Sequence, residues 1–377
     1  MATAPHYRIE GSGPVALACA LFMARAGIDP ARIRVPLPVA RPSRDEPRRM
    51  LALSDGTRQL LNRVIRLPEG GLIEQIHVSM AGRSGATRID ARDFGVAALG
   101  HVVPYPSLLE ALREASAPIG FARMDAGAAS APADDDLVIE AGGMPIRAQQ
   151  PGEPGFQRRD FGQSALLTEV MAQTAGTTAF ECFGPNGPLA LLPAAAGHQP
   201  RYAVVWCDRP EETQRRAALE PAALSAEIAQ AFAAAGPERS PLATLRVCAP
   251  VAVAPLLRTR RRVAAAGNVV WIGNASQSLH PVAGQGLNLG LRDAFELARD
   301  LADNEYASRP LPLARVIARY GARRRADRGV TTGITDLLAA SFTWPLARPL
   351  QSTVLNALDL LPPLRRPLAR SLLFGNR

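Results

Sequence analysis

Lysine is missing altogether from this 377-residue chain; all 43 basic side chains are arginines. Set against 34 acidic residues they give a formal charge of +9, which would ordinarily suggest a nucleic acid or an anionic membrane as partner. An all-arginine complement beside abundant Ala, Gly and Pro reads instead as GC-rich coding. The densest clusters, Arg258 to Val263 and Gly321 to Arg328, have no aromatic side chains between them, so both are expected to be solvated surface and no nucleic acid is expected. Cysteine is scarce too. Cys19, Cys182, Cys207 and Cys248 form no CxxC pair and have no histidine at ligand spacing, which argues against a structural metal or a disulfide framework. No uncharged apolar run reaches the about 18 residues of a membrane-spanning helix. The N-terminal MATAPHYRIEGSG lacks the basic and apolar regions of a secretory signal, so a cytoplasmic protein is expected.

What the chain does have is length for two or three domains and 47% hydrophobic residues to fill them. It opens as strand, glycine turn and helix: HYRIE, then GSGP, then VALACALFMARAG. Gly11, Gly13 and Ala16 match the GxGxxA pattern, in which glycines bring the backbone close to a pyrophosphate and the helix start meets its charge. Alone, that turn is a weak signal. A second strand is expected over 32–37, but it ends without the usual ribose-holding carboxylate. Arg8 and Glu10 are unusual for a central strand buried on both faces. Runs such as TTAFECF, GPLALLP and YAVVWC, separated by Gly and Pro turns, predict an antiparallel sheet with one face on a core.

The most informative stretch is residues 273–298, GNASQSLHPVAGQGLNLGLRDAFELA, which follows the apolar run VVWIG. Gly284-Gln285-Gly286 precedes a helix whose Leu287, Leu291, Ala294, Ala298 and Leu301 share one face. Backbone N–H groups at such a helix start suit an electron-rich oxygen. Gly273 to Asp293 resembles the second FAD-binding motif of the class A flavoprotein monooxygenases, in the form found in the ubiquinone-biosynthesis branch. Further segments match that branch in order: RMLALSDGTR at 49–58, IHVS at 76–79, ALGHVV at 98–103, FGQSA at 161–165, FECFGPNGPLALLP at 180–193 and VVWC at 204–207. The similarity runs over nearly the whole chain and is strongest to the 2-polyprenyl-6-methoxyphenol hydroxylase type.

The resemblance implies an α/β fold: a glutathione-reductase-like FAD-binding Rossmann domain interleaved with a mixed or antiparallel sheet that holds substrate, and a helical C-terminal tail. The implied divisions are FAD domain at 1–72, 98–150 and 253–328, substrate domain at 73–97 and 151–252, and tail at 329–377. It implies NAD(P)H as reductant and O2 as co-substrate. A polyprenylated phenol would be hydroxylated through a flavin C4a-hydroperoxide, with no side-chain nucleophile. Gly11, Gly13 and Ala16 would line the pyrophosphate, Arg49 would contact FAD, and Asn274 would hold the ribityl or phosphate region. Pro281, Gly284, Gln285, Gly286, Leu287 and Asn288 would pass beside the isoalloxazine. His280 is a candidate base, although a loop-orienting hydrogen bond suits it better. The tail, apolar and arginine-bearing, reads as two helices packed on the body or as a peripheral contact with the inner membrane.

Departures from the family pattern concentrate on the FAD grip. The ribose carboxylate is replaced near Leu37; Ala141-Gly142-Gly143 stands where Ala-Asp-Gly is usual; Pro104-Tyr105-Pro106 follows Val103 where Glu and Arg are common; and Asn274 replaces Asp. They leave a second reading open: a degenerate member with weak FAD binding, acting as a non-catalytic subunit among other ubiquinone-biosynthesis proteins.

Overall fold

The computed structural model describes residues 5–36, 49–82, 85–124, 136–143, 155–194, 200–233, 244–280 and 284–342, and the single positions 353, 356, 359, 366, 369, 370 and 373. Its first layer is a six-stranded sheet in the order β16 (Ala265–Ala266), β17 (Val269–Trp271), β9 (Leu137–Glu140), β1 (Tyr7–Glu10), β2 (Ile33–Pro36), β8 (Ala122–Met124). All neighbours are parallel except the β16–β17 pair. Tyr7 and Ile9 point into a core shared with α1 (Pro14–Arg25), α3 (Tyr105–Ser116) and α6 (Gln285–Glu305), where Phe22 meets Phe295 edge-on at 5.5 Å. Each large side chain buried there contributes roughly 1.5–3 kcal/mol.

The polar residues of β1 now have a physical account. Arg8 and Glu10 alternate with the buried Tyr7 and Ile9, are half-buried, and bond to each other. Arg34 and Glu140 stand beside them in register. This face is therefore not sealed like the helix-covered one, and the strand is not buried on both sides.

The second layer is a mixed sheet in the order β14 (Arg246–Val247), β10 (Phe156–Met171), β13 (Arg201–Asp208), β12 (Pro188–Pro193), β11 (Thr178–Phe183), β5 (Gln75–Met80), β6 (Ala86–Asp90), with β15 (Ala252–Arg261) also paired to β10. Only β11–β5 is parallel. The back face packs Phe180, Cys182, Leu191, Tyr202 and Trp206 against Leu224, Ile228 and Phe232 of α5 (Pro221–Ala233), with α4 (Pro210–Ala217) just before it. Alternation puts Val78, Glu181, Ala190, Val205 and Leu167 on the front face, all half-buried.

A three-stranded sheet, β3 (Met50–Ser54), β7 (Gly100–Pro104), β4 (Gly71–Ile73), joins the two layers, with α2 (Asp55–Leu61) following β3. Its Met50, Ala52, Ile73 and Val102 pack with Ile76, Ala179 and Leu192 at one end of the large sheet's front face.

Two expectations about arginines need correction. The Arg258 to Val263 cluster is not plain solvated surface. Most of it lies in β15, where Arg261 donates to the Ala275 carbonyl at 3.0 Å and its guanidinium stacks 4.6 Å over Trp271. In the second cluster, Arg324 and Arg328 are buried because both pair with Asp293 of α6. They belong to α7 (Leu313–Phe342), which runs on through 329 rather than changing there. Of the tail, Asn356 and Asp359 accept hydrogen bonds from the Ala86 and Arg88 N–H groups along the β6 edge, and Leu373 is buried in the β3–β7–β4 cluster. Those positions pack on the body, as a packed tail requires. No helix among the described residues is long and apolar enough to cross a membrane.

Candidate functional site

The glycine turns of the sequence converge on one groove. Gly11 has φ +129°, and a Cβ there would stand 2.8 Å from the Ala141 carbonyl carbon, so the turn after β1 lies flush against the end of β9. Gly273 has φ +57° and abuts Val15 of α1, while a Cβ on Gly290 of α6 would come within 2.9 Å of the Gly273 Cα. These contacts lock α1, the 273–275 turn and α6 together, and Asn274 is exposed at their meeting point.

Beside these close contacts lies open space. Cβ atoms added at Gly13, Gly142, Gly143 or Gly286 would meet nothing within 4 Å. Two helices begin there without side-chain caps. α1 starts after Gly13 with Pro14 in its first turn, leaving the Val15 and Ala16 N–H groups without helical acceptors; α6 starts after Gly284, at φ +59°. An extended dinucleotide needs such a lane: unobstructed glycine backbone, with uncapped helix starts to meet its negative oxygens. The residues present fit FAD.

Other expected contacts divide by position. Ala16 is 1% exposed and its side chain belongs to the core, which leaves its backbone N–H, in the uncapped first turn of α1, as the group a ligand could meet. Arg49 is exposed at the head of β3, its carbonyl accepting the Tyr105 N–H at 2.8 Å. Three residues on, Ala52 lies 3.3 Å from where a Gly284 Cβ would be, so the strand that follows Arg49 runs beside the start of α6. Gln285 is buried, and Leu287 packs on the main core. Asn288 is fully engaged with protein. It donates to the Ala52 and Gly284 carbonyls, both at 2.9 Å, and accepts the Ser54 N–H at 2.9 Å. Its side chain shapes the turn instead of reaching the groove. Pro281 and the stretch around Leu37 lie outside the described residues.

His280 is 2% exposed; its Nε2 lies 3.0 Å from Gln163 Oε1, and its ring meets Phe161 edge-on at 5.0 Å. Burial pushes the imidazole down to about 4, so it is neutral near pH 7 and weakly basic. That arrangement ties the ring to β10 and does not suit a general base.

Sequence reasoning passed over Gln163 and Asp293. Asp293 is fully buried, receives Arg324 Nε at 2.8 Å and Arg328 Nη2 at 3.0 Å, and faces the Gly273 N–H at 3.4 Å. One signal was available: Asp293, Glu296 and Asp300 recur at i, i+3 and i+7 along one face of α6, with arginines at i, i+4 spacing in a later helix.

A sequence profile described as an FAD binding domain matches residues 149–326. The chain is 30% identical over 210 residues to the 3-demethoxyubiquinol 3-hydroxylase of Escherichia coli, covering 55% of this chain and 51% of that protein. It is also 30% identical over 217 residues to the ubiquinone hydroxylase UbiL of Rhodospirillum rubrum, covering 56% and 47%. The chain thus spans about half the length of these curated relatives. Among solved structures, the p-nitrophenol 4-monooxygenase PnpA of Pseudomonas putida superposes over 100% of both chains with TM-score 0.70 at 16% identity. Klebsiella pneumoniae HpxO, complexed with FAD and uric acid, covers 98% of this chain and 97% of its own with TM-score 0.70, also at 16% identity. The chain thus carries an FAD-binding sequence over residues 149–326 and shares its whole-chain fold with FAD-dependent monooxygenases.

Proposed function

We propose that this protein hydroxylates a polyprenylated phenol of ubiquinone type, using FAD, NAD(P)H and O2. The observation that carries the reading is the open glycine lane between two uncapped helix starts, in a chain whose relatives include ubiquinone hydroxylases. When bound, the flavin supplies the redox chemistry and the activation of O2.

The chain's own residues would do the rest. Val15 and Ala16 would meet the pyrophosphate through their backbone N–H groups, with Asn274 alongside. The start of α6 would meet the electron-rich edge of the ring through Gln285 and Gly286, held in register by Asn288. Val78, Ala190, Val205 and Leu167 offer a half-buried apolar sheet face to a phenol ring, with the Glu181 carboxylate among them. Such a face excludes water and favours an alkylated aromatic over a sugar or nucleotide.

The test is direct. Purified protein titrated with FAD should develop the absorption of bound flavin, and a phenol bearing a short prenyl chain should accelerate its NAD(P)H oxidation and appear as hydroxylated product. Absence of flavin binding at high micromolar FAD would remove the hydroxylase reading and favour the non-catalytic subunit.

A further inference from the structure

Strand β10 is in register with β15 as far as Asp160 opposite Leu257, and pairing resumes at Ser164 opposite Pro255. Phe161, Gly162 and Gln163 therefore stand against Leu256 alone. The bulge is built into the chain: Gly162 has φ +63°, and its N–H is accepted by Asp160 Oδ1 at 2.8 Å. A bulge forfeits ladder hydrogen bonds and re-aims side chains. Here Phe161 and Gln163 both meet His280, the last described residue before the loop into α6.

The partners of Gln163 define its orientation. At one end its Nε2 donates to the Asn186 carbonyl, in the turn joining β11 to β12. A carbonyl can only accept, so the amide nitrogen belongs on that side and Oε1 faces His280. The ring nitrogen opposite Oε1 must then carry hydrogen. The hairpin turn is itself fitted closely: a Cβ on Gly187 would lie 2.4 Å from the Cys207 carbonyl oxygen and 3.1 Å from Gln163 Nε2. Gln163 is 6% exposed, so water does not substitute freely for either partner.

We infer that Gln163 is a positioning residue: it holds the His280 ring with its proton on Nε2 and ties that ring to the β11–β12 hairpin of the large sheet. The inference rests on the hydroxylase reading only for its consequence, since that reading gives the start of α6, a few residues after His280, to the flavin and the sheet containing the hairpin to the substrate. With the ring fixed this way, Nδ1 is an acceptor and His280 offers its only N–H to the protein. That tie sets the distance between the two halves of the site.

The experiment uses the full-length protein with 15N-labelled histidine. The chain has five histidines, and loss of one signal set in His280→Gln assigns the ring of interest. Wild type should show His280 as the Nε2–H tautomer. Gln163→Met, which keeps the length but loses both polar ends, should give mixed tautomers. Gln163→Glu, which restores an acceptor, should recover Nε2–H. With FAD and a short-chain prenylphenol, Gln163→Met should consume about tenfold more NAD(P)H per product formed, well short of the roughly 100-fold loss a 1 Å misplacement can cause, with Gln163→Glu between it and wild type. An Nδ1–H tautomer in wild type overturns the inference, as does a Gln163→Met protein with unchanged tautomer and coupling. If Gln163→Met does not fold, wild type and Gln163→Glu still decide it. Failure of wild type to bind FAD defeats the hydroxylase reading and leaves the tautomer result standing by itself.

Discussion

Asp293 of α6 and Arg324 of α7 are joined in the interior, Nε to Oδ1 at 2.8 Å, with both side chains almost wholly removed from water. Two charges there would be costly alone, and Arg328 completes the set from the next turn of α7 at 3.0 Å. Because the Gly273 N–H also faces Asp293, the ion cluster reaches from α7 to the turn that presents Asn274.

Removing the aspartate charge should therefore strand two arginines. Asp293→Asn is expected to destabilise the fold by about 3–5 kcal/mol, as breaking one side of a buried pair does. Thermal or denaturant unfolding measures that loss. Arg325, exposed on the same helix, serves as the control: Arg325→Gln should change stability by about 0.5 kcal/mol or less. An Asp293→Asn protein as stable as wild type would mean that the cluster contributes nothing.

Gly11 and Gly13 look alike in sequence but should respond oppositely. Gly11→Ala meets the Ala141 backbone at 2.8 Å from a left-handed φ, so it should lose about 2 kcal/mol or more of stability. Gly13→Ala meets nothing, so its melting temperature should stay near wild type. Its new methyl group would occupy the lane, however, and FAD affinity should fall about tenfold or more. Unfolding curves and flavin titrations of the two variants separate these effects.

Burial of His280 gives stability a pH dependence. Its ordinary value of 6.5 drops to about 4 in the folded state, so between those values the unfolded chain binds more protons than the native one. Stability from this group is fully present above pH 6.5 and is lost as pH falls towards 4, by roughly 3 kcal/mol over the window. His280→Gln should flatten the acid side of the stability curve relative to wild type. A wild-type chain with equal slope would contradict the shift. The pH–rate profile should show no ionisation of His280 between about pH 5.5 and 8.

How far the sequence is legible follows from the range of each interaction. The β1–α1 unit and the start of α6 are written locally, in a glycine turn and an apolar period, and both stand where the pattern puts them. The front and back faces of the large sheet follow from period-two alternation. What the sequence hides depends on distant partners. Arg324 and Arg328 read as solvated because their acid lies more than thirty positions earlier, on another helix. Gln163 reads only as part of the FGQSA match, with no role of its own, because its meaning lies in a bulge and in His280, over a hundred positions away. Asn288 fits a flavin-contact motif, yet its amide is spent on Ala52, Ser54 and Gly284, a division only coordinates reveal.

Gly142 offers a gain-of-function test of the cofactor site. It occupies the place where the family pattern has an acid, at the end of β9 and one residue beyond the carbonyl that Gly11 abuts. A Cβ there meets no atom within 4 Å, and the residue is not among the glycines with positive φ, so an aspartate can be built without strain. One charge-assisted hydrogen bond contributes about 1.5–3 kcal/mol, which corresponds to at least a tenfold change in affinity. Gly142→Asp should therefore keep the fold, judged by an unchanged melting temperature without FAD, and bind flavin about tenfold more tightly in a fluorescence titration. Weaker binding in a well-folded variant would mean that the lane runs too close to Gly142 for any side chain. The present glycine would then be a requirement of this groove and not a missing contact.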